Sequence, residues 1–221
     1  MAKRLAYLHT VAGLTATFKA LSDELLPGID LFHIVDESLL QNTIRANQLT
    51  PQTMRRLLRL VISAEEAGAD VVMVTCSSVG PAVEASRPFV RIPVLRVDEP
   101  MAELAVQSGV TIGVAATLPT TLKPTADLIS SVAARQGKSI QVVSKLCEGA
   151  FQAVVSGDPA RHDQLVSAGL QELAPQVDVV VLAQASMARV IETLPAESRR
   201  VPILSSPRLA VERLAQLIPT L

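Results

Sequence analysis

The sequence repeats itself, and no other feature constrains its fold as strongly. GADVVMVTCSSVGPAVE, beginning at Gly68, aligns with QVDVVVLAQASMARVIE, beginning at Gln176, so that Asp70 pairs with Asp178 and Ser78 with Ser186. Downstream, IPVL from Ile92 matches VPIL from Val201. Upstream, YLHT ending at Thr10 matches VAAT ending at Thr117, and IDLFHIVDES from Ile29 matches IQVVSKLCEG from Ile140. Four blocks in one order at nearly constant spacing describe a duplicated lobe with small insertions.

Each copy alternates short apolar runs with amphipathic stretches, the pattern of βαβ units and a parallel sheet. The predicted strands are Leu5–Leu8, Asp30–Ile34, Val71–Val74, Val94–Val97, Ile112–Ala115, Ile140–Val143, Val179–Leu182 and Pro202–Leu204. A helix is predicted over Pro51–Ala67, where Met54, Leu57, Leu58, Val61 and Ile62 recur at helical spacing while Arg55, Arg56, Arg59 and Glu65 face water. The expected fold is α/β: two pseudosymmetric, doubly wound parallel-sheet lobes, residues 1–100 plus 206–221 forming the first and 101–205 the second. Composition agrees, since 49% hydrophobic residues with one Tyr, four Phe and no Trp suit buried aliphatic strands covered by helices.

Charge narrows the partners. Twenty Lys plus Arg balance 21 Asp plus Glu, and no basic run accompanies an aromatic platform, which argues against nucleic acid. His9, Thr10, Gly13 and Thr15 interrupt any apolar signal core, and no segment approaches the roughly 20 apolar residues of a membrane span. Two cysteines without metal-like spacing suit a reducing cytoplasm and free thiols. Three scattered histidines predict no metal site, and no glycine-rich phosphate loop supports a bound nucleotide, so no cofactor is expected.

Parallel sheets bind ligands at the carboxyl ends of their strands, where loops and unpaired N–H groups converge. With two such lobes the expected site is the inter-lobe cleft, lined by His9–Thr10, Asp36–Ser38, Thr75–Ser78, Thr117–Thr121, Cys147–Gly149 and Gln184–Ser186. Cys76 stands where VVMV turns toward a helix. A helix N-terminus would favour its thiolate and lower its pKa, making a base or nucleophile; the alternative is a buried cysteine serving as a small apolar residue.

DVVMVTCSSVGP resembles the first cysteine motif of the aspartate/glutamate racemase superfamily, and IPVLRVDEPM its strand and turn just downstream. VDESLL, TIGVAATLPTT and VPILSSPRLA are similar to further family segments, so the resemblance covers nearly the whole chain. It implies one thiol per lobe on opposite sides of a substrate α-carbon, one removing a proton and the other returning one, without metal or cofactor, in a homodimer. Carried onto this chain, Cys76 is the base, and Ser77, Ser78, Thr117 and Thr121 are carboxylate donors. The second lobe departs from the pattern: Gln184 stands opposite Cys76, and an amide does not titrate.

Other residues carry two readings each. Cys147 aligns with Asp36 and is either an inert thiol or a second catalytic one. Asp36 and Glu37 are helix-capping carboxylates or contacts to a substrate amine, and Asp98 and Glu99 before Pro100 suit a helix start. His9, ending a strand, is a better cleft candidate than His33, as acid, base or donor, or else a satisfied structural histidine; His162, in SGDPARHDQ, is expected to be exposed. The functional expectation is a cofactor-independent isomerase of a small carboxylate, with a single-thiol lyase or decarboxylase and an inactive ligand-binding protein as alternatives.

Overall fold

The computed structural model describes residues 3–194 and 199–221. Its internal contacts divide the chain into one unit ending at Glu99 and rejoined by Pro207–Leu221, and a second spanning Pro100–Ser206.

In the first unit, β1 (Arg4–His9), β2 (Asp30–Val35), β3 (Val71–Val74) and β4 (Val94–Arg96) form a parallel sheet of order β2-β1-β3-β4. Helices α1 (Leu14–Leu25), α2 (Ser38–Arg45), α3 (Pro51–Glu66) and α4 (Gly80–Ser86) connect the strands. The central strands β1 and β3 are dominated by apolar residues because both of their faces are buried. Ala6, Leu8, Val72 and Val74 pack with Leu57, Val61 and Val83 on one side. Leu5, Tyr7, Val71 and Met73 pack with Phe18, Ala210, Val211 and Leu214 on the other. The last three belong to the terminal helix, which is why the chain's end returns to this unit.

The second unit repeats the plan. After α5 (Glu99–Ser108) come β5 (Thr111–Ala116), α6 (Pro119–Arg135), β6 (Gln141–Leu146), α7 (Ala150–Val155), α8 (Pro159–Leu173), β7 (Val179–Leu182), α9 (Val190–Thr193) and β8 (Ile203–Ser205), before α10 (Ser206–Leu217). Its parallel sheet has the order β6-β5-β7-β8, position for position that of the first. One face buries Ala115, Val180 and Leu182 against Val166, Leu170 and Leu173 of α8.

The structure explains the repeated aspartates. The Asp70 carboxylate accepts the Arg4 N–H at 2.8 Å, and the Asp178 carboxylate accepts the N–H groups of Val110 and Thr111, each at 2.8 Å. Each carboxylate pins the first strand of its lobe at the amino edge of the sheet, and these hydrogen bonds hold both below the usual carboxylate pKa. Helix α3 starts where its sequence dictates: Thr50 accepts the N–H of Thr53, and Pro51 occupies the first turn, where its missing donor has no consequence. Strand β6 runs on to Leu146, beyond the predicted Val143. As an edge strand paired only with β5, it tolerates Ser144 and Lys145, which alternate to opposite faces.

Candidate active site

Cys76 follows β3 in extended conformation, then Ser77–Val79 form a single 3₁₀ turn before α4. The thiol is therefore not at an α-helix N-terminus, and what surrounds it is local. The Ser78 hydroxyl and the N–H groups of Ser78 and Val79 favour the anion of its sulfur, and the Thr10 hydroxyl lies nearby. Burial nevertheless outweighs these donors and pushes the thiol pKa up, so the expected depression is corrected. The sulfur packs against the apolar cluster that includes Val74, Val79 and Val83, and that environment penalises an isolated charge. The buried Thr10 hydroxyl has no hydrogen-bond partner among the described residues, whereas Ser77 and Ser78 are buried in the turn itself.

Strand alternation sends His9 to the other face of the sheet. Its Nδ1 lies 2.8 Å from the Thr75 hydroxyl and its Nε2 2.9 Å from His33 Nδ1. Thr75 Oγ1 donates to the Leu8 carbonyl, so His9 Nδ1–H donates to Thr75 and His33 Nδ1–H donates to His9 Nε2. The ring stacks beside Tyr7 and Phe18, at centroid distances of 5.7 and 5.6 Å. Fully buried, His9 has its pKa lowered to about 4, first by desolvation and then by His33. It is a neutral link that ties β1 to β2 and β3. Thr75 is spent on that link.

The remaining first-lobe candidates hold the backbone. Asp36 accepts from Ser38 N–H at 3.1 Å, from the Ser38 hydroxyl at 2.6 Å and from Arg56 Nε at 2.5 Å. Burial opposes its charge, but the Ser38 and Arg56 hydrogen bonds prevail and lower its pKa. Glu37 accepts the Ala12 N–H at 3.3 Å. Asp98 does not serve simply as a helix-start carboxylate: it is fully buried and grips Arg96 through two bonds of 2.9 Å, while Glu84 takes a third guanidinium nitrogen. The guanidinium lies against Gly80, where a Cβ would come within 2.4 Å of it. Sequence reading missed this support behind the Cys76 turn. Its trace is Arg96 and Asp98 two apart on a strand end, hence on one side.

In the second lobe the ladder bond from Ala183 N to Ala115 O, 2.9 Å, matches that from Thr75 N to Leu8 O, 3.0 Å. Likewise Cys147 N to Ala116 O, 2.8 Å, matches Asp36 N to His9 O, 2.9 Å. These equivalences place Gln184 at the position of Cys76 and Thr117 at that of Thr10. The Gln184 side-chain oxygen accepts both the N–H and the hydroxyl of Thr117, at 2.6 and 3.0 Å. Thr121 is buried in the first turn of α6, its N–H bonded to the Leu118 carbonyl. Its neighbour Thr120, not singled out in the sequence, carries a buried hydroxyl with no partner. Ser186 is exposed, unlike Ser78.

Cys147 is 3% exposed, its sulfur lodged against Gly169 of α8. Burial raises its pKa to about 11 in spite of Lys145. Such a thiol fills space. His162 departs from its expected exposure. Asp158 caps α8, accepting the Arg161 N–H, and the polar run continues as helix, turning His162 inward to 1% exposure with Asp163 Oδ1 at 2.7 Å from Nδ1. Among the described residues no cluster of three His, Cys, Asp or Glu could hold a metal, and no helix is long and apolar enough to cross a membrane.

Comparison with known proteins gives a consistent answer. The chain is similar in structure to glutamate racemase isoform RacE1 from Bacillus anthracis, with a TM-score of 0.73 at 18% identity, covering 99% of this chain and 82% of that one. Allantoin racemase from Klebsiella pneumoniae gives 0.71 at 17%, over 99% and 89% of the two chains. Picrophilus torridus aspartate racemase gives 0.72 at 13%, over 97% and 95%. At these identities the likeness establishes the fold alone. No curated protein sequence matches. The family model for Asp/Glu/Hydantoin racemase, however, matches residues 9–214. Nearly the whole chain is covered, and it belongs to the Asp/Glu/Hydantoin racemase family.

Proposed function

We propose that the chain is a cofactor-independent isomerase of the racemase or epimerase type, acting at the α-carbon of a small carboxylate such as an amino acid, with Cys76 as base. The observation that carries this reading is the turn that follows Cys76, where the Ser78 hydroxyl and the N–H groups of Ser78 and Val79 lie beside its sulfur. Each stabilises sulfur's anion more than its thiol. The thiolate takes the α-proton, and the C–H electron pair passes into the carboxylate, giving a planar dianion. Water then protonates the opposite face of that carbon, and the new S–H loses its proton to solvent. Neutral His9, locked between Thr75 and His33, and buried Cys147 take no part.

A second reading is favoured by one feature, the glutamine at the position equivalent to Cys76. With one titratable group, loss of carbon dioxide followed by protonation from Cys76 on a single face is also a balanced reaction, and the enzyme is then a lyase.

Incubating amino, hydroxy and malonic acids in D₂O separates these readings. Exchange with inversion supports the isomerase and carbon dioxide release the lyase. Cys76→Ala should reduce either by at least about 10³-fold, the scale of losing a catalytic base. Since burial raises the thiol pKa, the wild-type rate should still be climbing above neutral pH. Unchanged turnover in Cys76→Ala would remove the basis of the proposal.

A further inference from the structure

Behind the turn that carries Cys76 lies a buried cation. Arg96, at the end of β4, is 3% exposed, and its guanidinium donates to three carboxylate oxygens: Nε and Nη2 to the fully buried Asp98, each at 2.9 Å, and Nη1 to Glu84 of α4 at 2.5 Å. One flat group thus ties α4 to the end of β4. Gly80, the first residue of α4, has ordinary helical angles, φ −50° and ψ −45°, so glycine is not needed there for its conformation. It is needed for room: a Cβ would meet the guanidinium carbon at 2.4 Å. Neither the Ser77–Val79 turn nor α4 is closed by a side-chain cap, so the guanidinium packed behind them supplies the support that a cap would give.

The duplication shows what this arrangement accompanies. Val74 pairs with Arg96 in the register of the first sheet and Leu182 with Ser205 in that of the second, so Ser205 and Pro207 stand where Arg96 and Asp98 do. The Ala185–Met187 turn matches Ser77–Val79, which puts Ala188 at the position of Gly80, and the helix that follows begins two residues later, at Val190. The lobe with the thiol has glycine, arginine and aspartate; the lobe with Gln184 has alanine, serine and proline.

We infer that Arg96 is a positioning residue for Cys76: clamped by Asp98 and Glu84 and seated on Gly80, it fixes the Ser77–Val79 turn so that the N–H groups of Ser78 and Val79 stay beside the sulfur. This rests on Cys76 being the base. Donors held in place need not reorganise as charge develops on sulfur. The clamp transfers no proton, and one cation between two carboxylates carries no net positive charge, so it acts through geometry and not by attracting the thiolate.

The test separates position from stability. Arg96→Met with Asp98→Leu replaces the ion pair by apolar side chains of similar size and should keep a urea midpoint near that of wild type. Iodoacetamide then reports on the thiol directly: alkylation is followed against pH, with Cys76, which is half-buried, scored apart from Cys147 by peptide mass. In the double variant the half-maximal pH should rise by about one unit, a tenfold loss of thiolate below it, the scale of one weakened hydrogen bond to a charged group. Exchange of the α-proton should lose about tenfold in kcat with KM changed little. Gly80→Ala drives a methyl into the guanidinium and should shift the alkylation profile in the same direction. An unshifted profile in either folded variant would show that the cluster is structural only, and would overturn the inference. Cys76→Ala separates the two proposals: if it still exchanges the α-proton, the base assignment fails, while the alkylation profile, read on the thiol itself, decides the role of Arg96 independently.

Discussion

Removing the Asp98 carboxylate isolates a cation in the interior. Arg96 is 3% exposed and Asp98 fully buried, with two parallel bonds of 2.9 Å between them. For charge centres about 4 Å apart at an effective dielectric near 20, the attraction is about 4 kcal/mol. Asp98→Ala loses it and leaves the guanidinium desolvated, which for buried pairs costs about 3–5 kcal/mol. Glu84 remains bonded to Arg96 at 2.5 Å, but it is 47% exposed and solvent-screened, so its help is small and the expected loss is about 3 kcal/mol. Urea unfolding should be followed by far-UV circular dichroism, because the chain has no Trp and a single Tyr. The midpoint should fall with an unchanged slope. Replacing both partners, Arg96→Met with Asp98→Leu, should recover stability to within about 1 kcal/mol of wild type, since desolvation and attraction then vanish together. A loss below about 1 kcal/mol in Asp98→Ala would refute the view that this pair holds up the Cys76 turn.

Acid should weaken the protein through His9. Its folded pKa of about 4 lies below the ordinary 6.5, so the unfolded chain takes the proton first; stability is full above pH 6.5 and falls, by up to roughly 3 kcal/mol, as the pH drops toward 4. Urea midpoints at pH 7.5 and 5 should diverge in wild type and converge in His9→Gln; equal divergence in the variant would place the titrating group elsewhere. Gly169→Ala brings a Cβ within 2.6 Å of the Cys147 sulfur and should destabilise by about 1–3 kcal/mol. Adding Cys147→Ala should restore part of that loss, a coupling readable in a double-mutant cycle; strict additivity would show that the two sites do not share space.

Much of the fold was legible because a duplicated, doubly buried parallel sheet leaves a period and an apolar run that survive in one dimension. Val71–Val74 and Val179–Leu182 were found to the residue, and the offset between them predicted that the second sheet would copy the first. The internal alignment also set Gln184 opposite Cys76. The sequence could not report which neighbours the loop residues meet. His9 ends a strand and reads as a cleft histidine, but alternation turns it to the face opposite Cys76, where Thr75 and His33 occupy both its nitrogens. His162 sits in a polar run and reads as exposed, yet α8 rotates it inward. Cys76 reads as a helix-terminal thiol, yet a 3₁₀ turn intervenes and apolar packing raises its pKa. Periodicity and repeat spacing are properties of the chain, so sequence alone determines the lobes and their candidate strand-end residues. Protonation, orientation and satisfaction of a polar group depend on atoms brought together from distant segments, His9 with Thr75 and Thr117 with Gln184, and only the tertiary structure decides those.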